Sequence, residues 1–103
     1  MTLRYTPEAI QDLKEIQTYI AGVLQNPAAA ARMLRRIMQE CGQLAAFPFS
    51  GVSLEKKTGY PTDLHLLVCG NYLALYRVAG DTVSIARVLD GRQDYLRILL
   101  KEE

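Results

Sequence analysis

Residues 64–91 read LHLLVCGNYLALYRVAGDTVSIARVLDG. Three apolar runs, 64–69, 72–79 and 83–89, are rich in the branched and aromatic side chains that suit a pleated strand. Gly70-Asn71 and Gly80-Asp81 separate them as two-residue turn signals, and Asp90-Gly91 closes the third. The stretch therefore predicts a three-strand antiparallel meander. Strict alternation would give each strand two faces. Leu73, Leu75 and Arg77 share one face of the second strand, opposite Tyr72, Ala74, Tyr76 and Val78. Val83, Ile85, Arg87 and Leu89 share one face of the third, and His65, Leu67 and Cys69 one face of the first. Each polar side chain is set among apolar neighbours, where an unpaired charge is costly.

The half before the meander has a helical period. Arg4 and Tyr5 sit in a short extended lead. Thr6 offers an N-cap hydroxyl and Pro7 fits the first helical position. Ile10, Leu13, Ile16, Ile20, Val23 and Leu24 follow at helical spacing, with Gln11, Asp12, Lys14 and Glu15 between them. Asn26-Pro27 repeats the start signal, and Ala30, Leu34, Ile37, Cys41 and Leu44 form the next stripe. Phe47-Pro48 ends it. Residues 50–62 lack periodicity and read as loop. After the meander, 92–100 reads as a short helix with Tyr95, Ile98 and Leu99 on one stripe. The expectation is an α+β fold. An N-terminal helical hairpin packs on one face of a small antiparallel sheet, made of a short first strand and the meander, with a short C-terminal helix.

Size and charge narrow the function classes. A chain of 103 residues fits one domain, expected over 1–103, and buries roughly two-thirds of its unfolded surface without staples. Half of the residues are hydrophobic and mean hydropathy is zero, which disfavours disorder. No run is long enough to span a membrane, and Met1–Thr6 does not begin a secretory leader. Cys41 and Cys69 show no metal spacing and read as reduced core residues of a cytoplasmic protein. No metal and no cofactor are expected. The net charge of +1 argues against nucleic-acid binding through bulk charge, and the sheet half carries no basic surplus either.

No phosphate loop, nucleophile elbow or carboxylate pair of the glycosidase kind occurs. The remaining candidates are Lys56, Lys57, His65, Arg77, Arg87, Arg92 and Tyr95. Basic groups converging on a concave face stabilise a scissile phosphate, and a histidine or tyrosine there moves protons. The simpler reading pairs Arg77 and Arg87 with Asp63, Asp81, Asp90 or Asp94 near strand ends. It leaves His65 hydrogen-bonded, Tyr95 packed, and Lys56 and Lys57 solvated.

Four segments resemble the RelE/ParE superfamily of type II toxin–antitoxin toxins. They are YTPEAIQDLKEI at 5–16, LAAFPFSG at 44–51, VCGNYLALYRV at 68–78 and VSIARVLDGRQDY at 83–95. In that order they match the family's first helix, its helix end and turn, its central hairpin, and its last strand with the C-terminal segment. The ending resembles the ParE-like branch more closely, with Asp90 where that branch usually carries His. Many relatives carry arginine where this chain has His65.

The resemblance implies two activities. ParE-like members are associated with inhibition of DNA gyrase, which here would engage Arg92, Asp94 and Tyr95 as target-binding groups. RelE-like members cleave mRNA in the ribosome without a metal. In that case Arg77 and Arg87 would hold the scissile phosphate, His65 or Tyr95 would move protons, and Lys56 and Lys57 would bind RNA. A degenerate toxin that only binds its antitoxin is the third possibility. All three imply a cognate antitoxin, contact with operator DNA only through that antitoxin, and no membrane.

Overall fold

A computed structural model describes residues 1–101, with side chains through Ile98. The chain begins with β1 (Thr2–Tyr5), α1 (Pro7–Thr18) and α2 (Pro27–Gly42). Thr6 caps α1 by accepting from Ala9 N at 3.1 Å, and Pro7 is its first residue. Such a cap contributes about 1 kcal/mol. Asn26 caps α2 in the same way, accepting from Ala29 N at 3.0 Å. Between the helices, α1 widens into a π-helical turn over Tyr19–Val23, closed by Leu24 N donating to Tyr19 O at 3.0 Å. The buried stripe of α1 differs from the expected one: it runs through Ala9, Asp12 and Ile16. Ile16 and Ile20 are buried, whereas Ile10, Val23 and Leu24 are exposed and Asp12 is buried instead.

The stretch read as loop at 50–62 holds two short elements, β2 (Val52–Ser53) and α3 (Leu54–Thr58). Ser53 caps α3 by accepting from Lys56 N. The meander then forms as β3 (His65–Cys69), β4 (Tyr72–Ala79) and β5 (Thr82–Asp90), followed by α4 (Tyr95–Lys101). Leu99, expected on the apolar stripe of α4, lies outside the residues whose side chains are described. Gly70 and Gly80 take positive φ in the two hairpin turns, which suits the twist of the flanking strands.

The sheet has the order β1-β5-β4-β3-β2. β2, β3, β4 and β5 pair antiparallel, but β1 pairs parallel to β5, so the sheet is mixed. Helices also cover both faces rather than one. α1 and α2 enclose a layer that includes Ile16, Ile37, Cys41, Cys69, Tyr76 and Ile85. Leu54 of α3 and Tyr95, Leu96 and Ile98 of α4 close the opposite layer over Leu66, Leu73, Leu75 and Leu89. Both cysteines are free and fully buried.

Strict alternation fails once, and the failure matters for the site. Tyr76 pairs with Ile85 and Leu75 with Arg87, so Ala86 is an extra residue and β5 carries a bulge. Val83 and Ile85 face the helical hairpin, and after the bulge Val88 does so too. Leu89 belongs to the opposite layer. The expected shared face of Val83, Ile85, Arg87 and Leu89 is therefore corrected by one inserted residue, which shifts the side-chain phase of the strand.

Candidate functional site

β1 covers the outer edge of β5 only as far as Ile85, where Tyr5 is its partner. Thr6 N donates to Ile85 O, and the Thr6 hydroxyl donates to Ala86 O at 2.9 Å. The chain then lifts into α1, and among the described residues Arg87 to Asp90 have no strand neighbour on that side. A side chain fills the gap. The Asp12 carboxylate accepts from Val88 N at 2.9 Å and from Arg87 Nε and Nη2 at 2.7 and 3.0 Å. Both partners are largely removed from water, at 8% side-chain exposure for Asp12 and 16% for Arg87. Asp12 raises the Arg87 guanidinium further above its ordinary range, first by hydrogen bonding and then, against the opposing effect of burial, by its charge.

Arg87 therefore has a carboxylate partner, but on α1 rather than among Asp63, Asp81, Asp90 and Asp94. In the sequence Asp12 stands between the apolar positions of α1. Its signal was present in the spacing: Ala9, Asp12 and Ile16 lie on one helical stripe, and all three are buried. A carboxylate in the phase of the core requires a buried partner.

The other candidates lie elsewhere. Arg77 Nε donates to Asp63 Oδ1 at 2.8 Å, an exposed pair of the kind expected near a strand end. His65 pairs with Tyr76 across β3 and β4, and their rings stack with centroids 5.3 Å apart. The Phe49 ring also packs on His65, tilted by 59° with centroids 5.6 Å apart. Among the described residues His65 Nδ1 is buried without a hydrogen-bond partner, and its ring is packed between aromatic neighbours. Lys56 and Lys57 are exposed on the last turn of α3.

The C-terminal segment differs in kind. Arg92 Nε and Nη2 donate to the two Asp90 carboxylate oxygens at 3.0 and 2.7 Å, and Arg92 N donates to Asp90 Oδ1 at 2.9 Å. These bonds hold the Asp90 carboxyl below the usual carboxylate range, chiefly through the guanidinium hydrogen bond. Arg92 and Asp94 are exposed, and Asp94 accepts from Arg97 N at the start of α4. Tyr95 is half-buried and packs on the apolar layer beneath α4.

A groove runs along α1 between the helix and the uncovered edge of β5. Its wider part, about 480 Å³, is bounded by Glu15, Tyr19, Tyr72, Arg87, Asp90 and Gln93 over a floor that includes Ile16 and Leu89. A second part of about 360 Å³ extends it past Gln11 and Glu8 to Pro7. Asp12, Glu15 and Arg87 belong to both. Arg87 lines the groove, whereas His65, Arg77 and Tyr95 do not. The four groups suggested for phosphate chemistry thus do not gather in this groove. Among the described residues, no cluster of three or more His, Cys, Asp or Glu side chains is placed to hold a metal ion. No described helix is long and apolar enough to cross a membrane.

Comparison with known proteins bears on this arrangement. The family model described as ParE toxin of type II toxin–antitoxin system, parDE, matches residues 3–95. Among solved structures, the chain is similar to one described as the chromosomal ParDE TA system from P. aeruginosa. The TM-score is 0.74 and the identity 24%, over 87% of this chain and 95% of that one. At that identity the likeness is one of fold. No curated protein sequence matches the chain.

Proposed function

The chain belongs to the ParE toxin family of type II toxin–antitoxin systems, and from that premise we propose that it inhibits DNA gyrase by binding it. Membership makes the chain a toxin and implies an antitoxin as its partner. The target is the step beyond.

The observation that carries the binding reading is the state of the two strand arginines. Arg87 is committed to Asp12, and Arg77 to Asp63. Arg87 is not an open cation awaiting a phosphate, Arg77 lies in an exposed pair away from the Arg87 groove, and Tyr95 is packed against apolar side chains. A nuclease site needs preorganised donors aimed at developing charge. An inhibitor that binds a protein needs an exposed, held surface. Arg92 and Asp94 supply one, because the Asp90 bonds fix Arg92 and the turn into α4 fixes Asp94. Tyr95 anchors the segment from beneath. In this reading the toxin acts in the cytoplasm, and the antitoxin is what brings operator DNA to the complex.

A supercoiling assay with purified gyrase tests the proposal. Wild-type toxin is expected to inhibit, and Arg92→Ala with Asp94→Ala to weaken inhibition by about tenfold or more, as removal of interface anchors does. Undiminished supercoiling at excess toxin would sink it. Primer extension on translated messages runs alongside. Cuts that vanish in Arg87→Ala, with gyrase untouched, would move the function to the ribosome.

A further inference from the structure

Charge is nearly balanced over the whole chain but not over the helical hairpin. α1 carries Glu8, Asp12 and Glu15 against Lys14, whereas α2 carries Arg32, Arg35 and Arg36 against Glu40. The packing of α2 fixes where its arginines stand. Its buried positions are Ala30, Ile37 and Cys41. At about 100° per residue, the three arginines centre roughly half a turn away, on one exposed stripe with Ala28 and Gln39. Arg32 and Arg35 have no ion pair among the described residues. Arg36 meets Glu40 at 3.3 Å, yet 57% of its side chain stays exposed. It also leans over the β3–β4 turn, where a Cβ on Gly70 would lie 3.2 Å from its Nη1.

We propose that this stripe of α2 binds the phosphate backbone of duplex DNA without reading its sequence. The argument is one of charge complementarity and needs neither the gyrase reading nor an antitoxin. Arg32 and Arg35 are separated by a rise of about 4.5 Å, and Arg32 and Arg36 by about 6 Å. Duplex DNA carries a charge about every 1.7 Å of its axis, so guanidinium groups within one helical turn meet neighbouring phosphates. All three cations are arginine, whose planar fork matches phosphate oxygens. An acidic protein partner would need an aromatic or aliphatic anchor at the middle of the patch, and the stripe offers Ala28 and Gln39 there. Single-stranded RNA would need ring faces on which to stack its bases, and none stands among the five residues of the stripe. The net charge of +1 keeps the contact weak and sensitive to salt, a local patch and not a bulk attraction.

Fluorescence anisotropy of a labelled DNA duplex of mixed sequence tests this, with the purified full chain and a salt series. The wild-type chain is expected to bind at low salt and to release the duplex as salt rises. Arg32→Gln with Arg35→Gln should weaken binding by about tenfold or more at low salt and make the logarithmic salt slope shallower by about 2. Glutamine is a good helix former, so α2 should stay intact, and circular dichroism melts establish that each variant is folded. The charge-matched control is Arg4→Gln in β1 with Arg97→Gln in α4, both exposed and off the stripe. It should stay near wild type. A wild-type chain that fails to bind the duplex at low salt would overturn the proposal, as would undiminished binding in the Arg32 and Arg35 variant. An equal loss in the control would reduce the effect to bulk charge and overturn it as well. Tighter binding of single-stranded RNA of equal length, or of polyglutamate, would give the stripe to another partner. No gyrase enters the measurement, so failure of the gyrase reading leaves these outcomes as expected.

Discussion

Asp12 holds Arg87 by two hydrogen bonds, 2.7 Å to Nε and 3.0 Å to Nη2, across 75 positions of sequence. The same carboxylate takes Val88 N, so one side chain ties α1 to the edge of β5 and closes that edge. Removing one partner of a buried pair strands the other. Asp12→Ala should therefore cost about 3–5 kcal/mol in urea unfolding. Replacing both members by Asp12→Asn with Arg87→Met, which keeps an acceptor for Val88 N, should cost less, because no orphan charge remains. Equal losses in the two variants would mean that helix packing, and not the charge, dominates.

The exposed pair should behave differently. Arg77 and Asp63 meet at 2.8 Å but are 47% and 72% exposed. Water and salt screen such a pair, so Arg77→Ala should change stability by less than about 1 kcal/mol. The binding reading also expects Arg77→Ala to remain toxic in cells, and loss of toxicity in a folded variant would count against that reading.

Gly51 sits where no side chain fits. A Cβ there would lie 2.6 Å from Leu66 O and 2.7 Å from the Tyr76 hydroxyl. That hydroxyl accepts from Gly51 N at 3.1 Å and pins the loop to the sheet. Gly51→Ala should destabilise the protein by about 1–3 kcal/mol, as overpacking does. Tyr76→Phe should cost about 1 kcal/mol through the lost bond. In the double variant the hydroxyl contact is gone but the Leu66 carbonyl clash stays, so the combined loss should fall only slightly below the sum of the two in a thermal melt.

The Asp90 carboxyl should titrate below the ordinary aspartate value of about 3.9, since Arg92 holds its charged form. The folded value is the depressed one. Stability from this pair is therefore present above the ordinary value and is lost as pH falls through the lowered one. A carbon-detected titration of Asp90 checks it. Arg92→Ala should move the midpoint back up. A midpoint already at the ordinary value in wild type would contradict the Arg92 contact.

Neither thiol should react while the protein is folded. Cys41 and Cys69 are fully buried, and the hydrogen bond with Cys41 together with burial pushes the Cys69 thiol far up. A thiol-specific aromatic disulfide reagent should label neither cysteine in native buffer and both in guanidinium. Prompt labelling of the native protein would mean that α2 opens from β3 locally.

Much of this molecule could be read in advance because its signals are local. The caps Thr6 and Asn26, the prolines that follow them, the turns at Gly70 and Gly80, and the apolar runs between them depend only on neighbours in the chain. The burial of both cysteines was readable from their apolar stripes, while the partner of Arg77 was legible only as one of four aspartates, of which the fold selects Asp63. The short elements at β2 and α3 were not, because two strand residues and five helical residues leave no periodicity to detect.

The sequence by itself determined the α+β class, the helical hairpin and the meander, since periodicity, caps and turn chemistry act within a few residues, and the toxin family entered through the resemblance of four segments, which the family match over residues 3–95 bears out. The tertiary structure decided everything that depends on contacts between distant segments. It placed β1 parallel to β5, inserted Ala86 as a bulge that reversed the phase of the strand, and brought Asp12 to Arg87. Alternation along a strand cannot foresee a one-residue slip, and a carboxylate on a helix does not announce which of several arginines it will meet. Those two long-range facts turned Arg87 from a candidate phosphate ligand into one half of a buried ion pair.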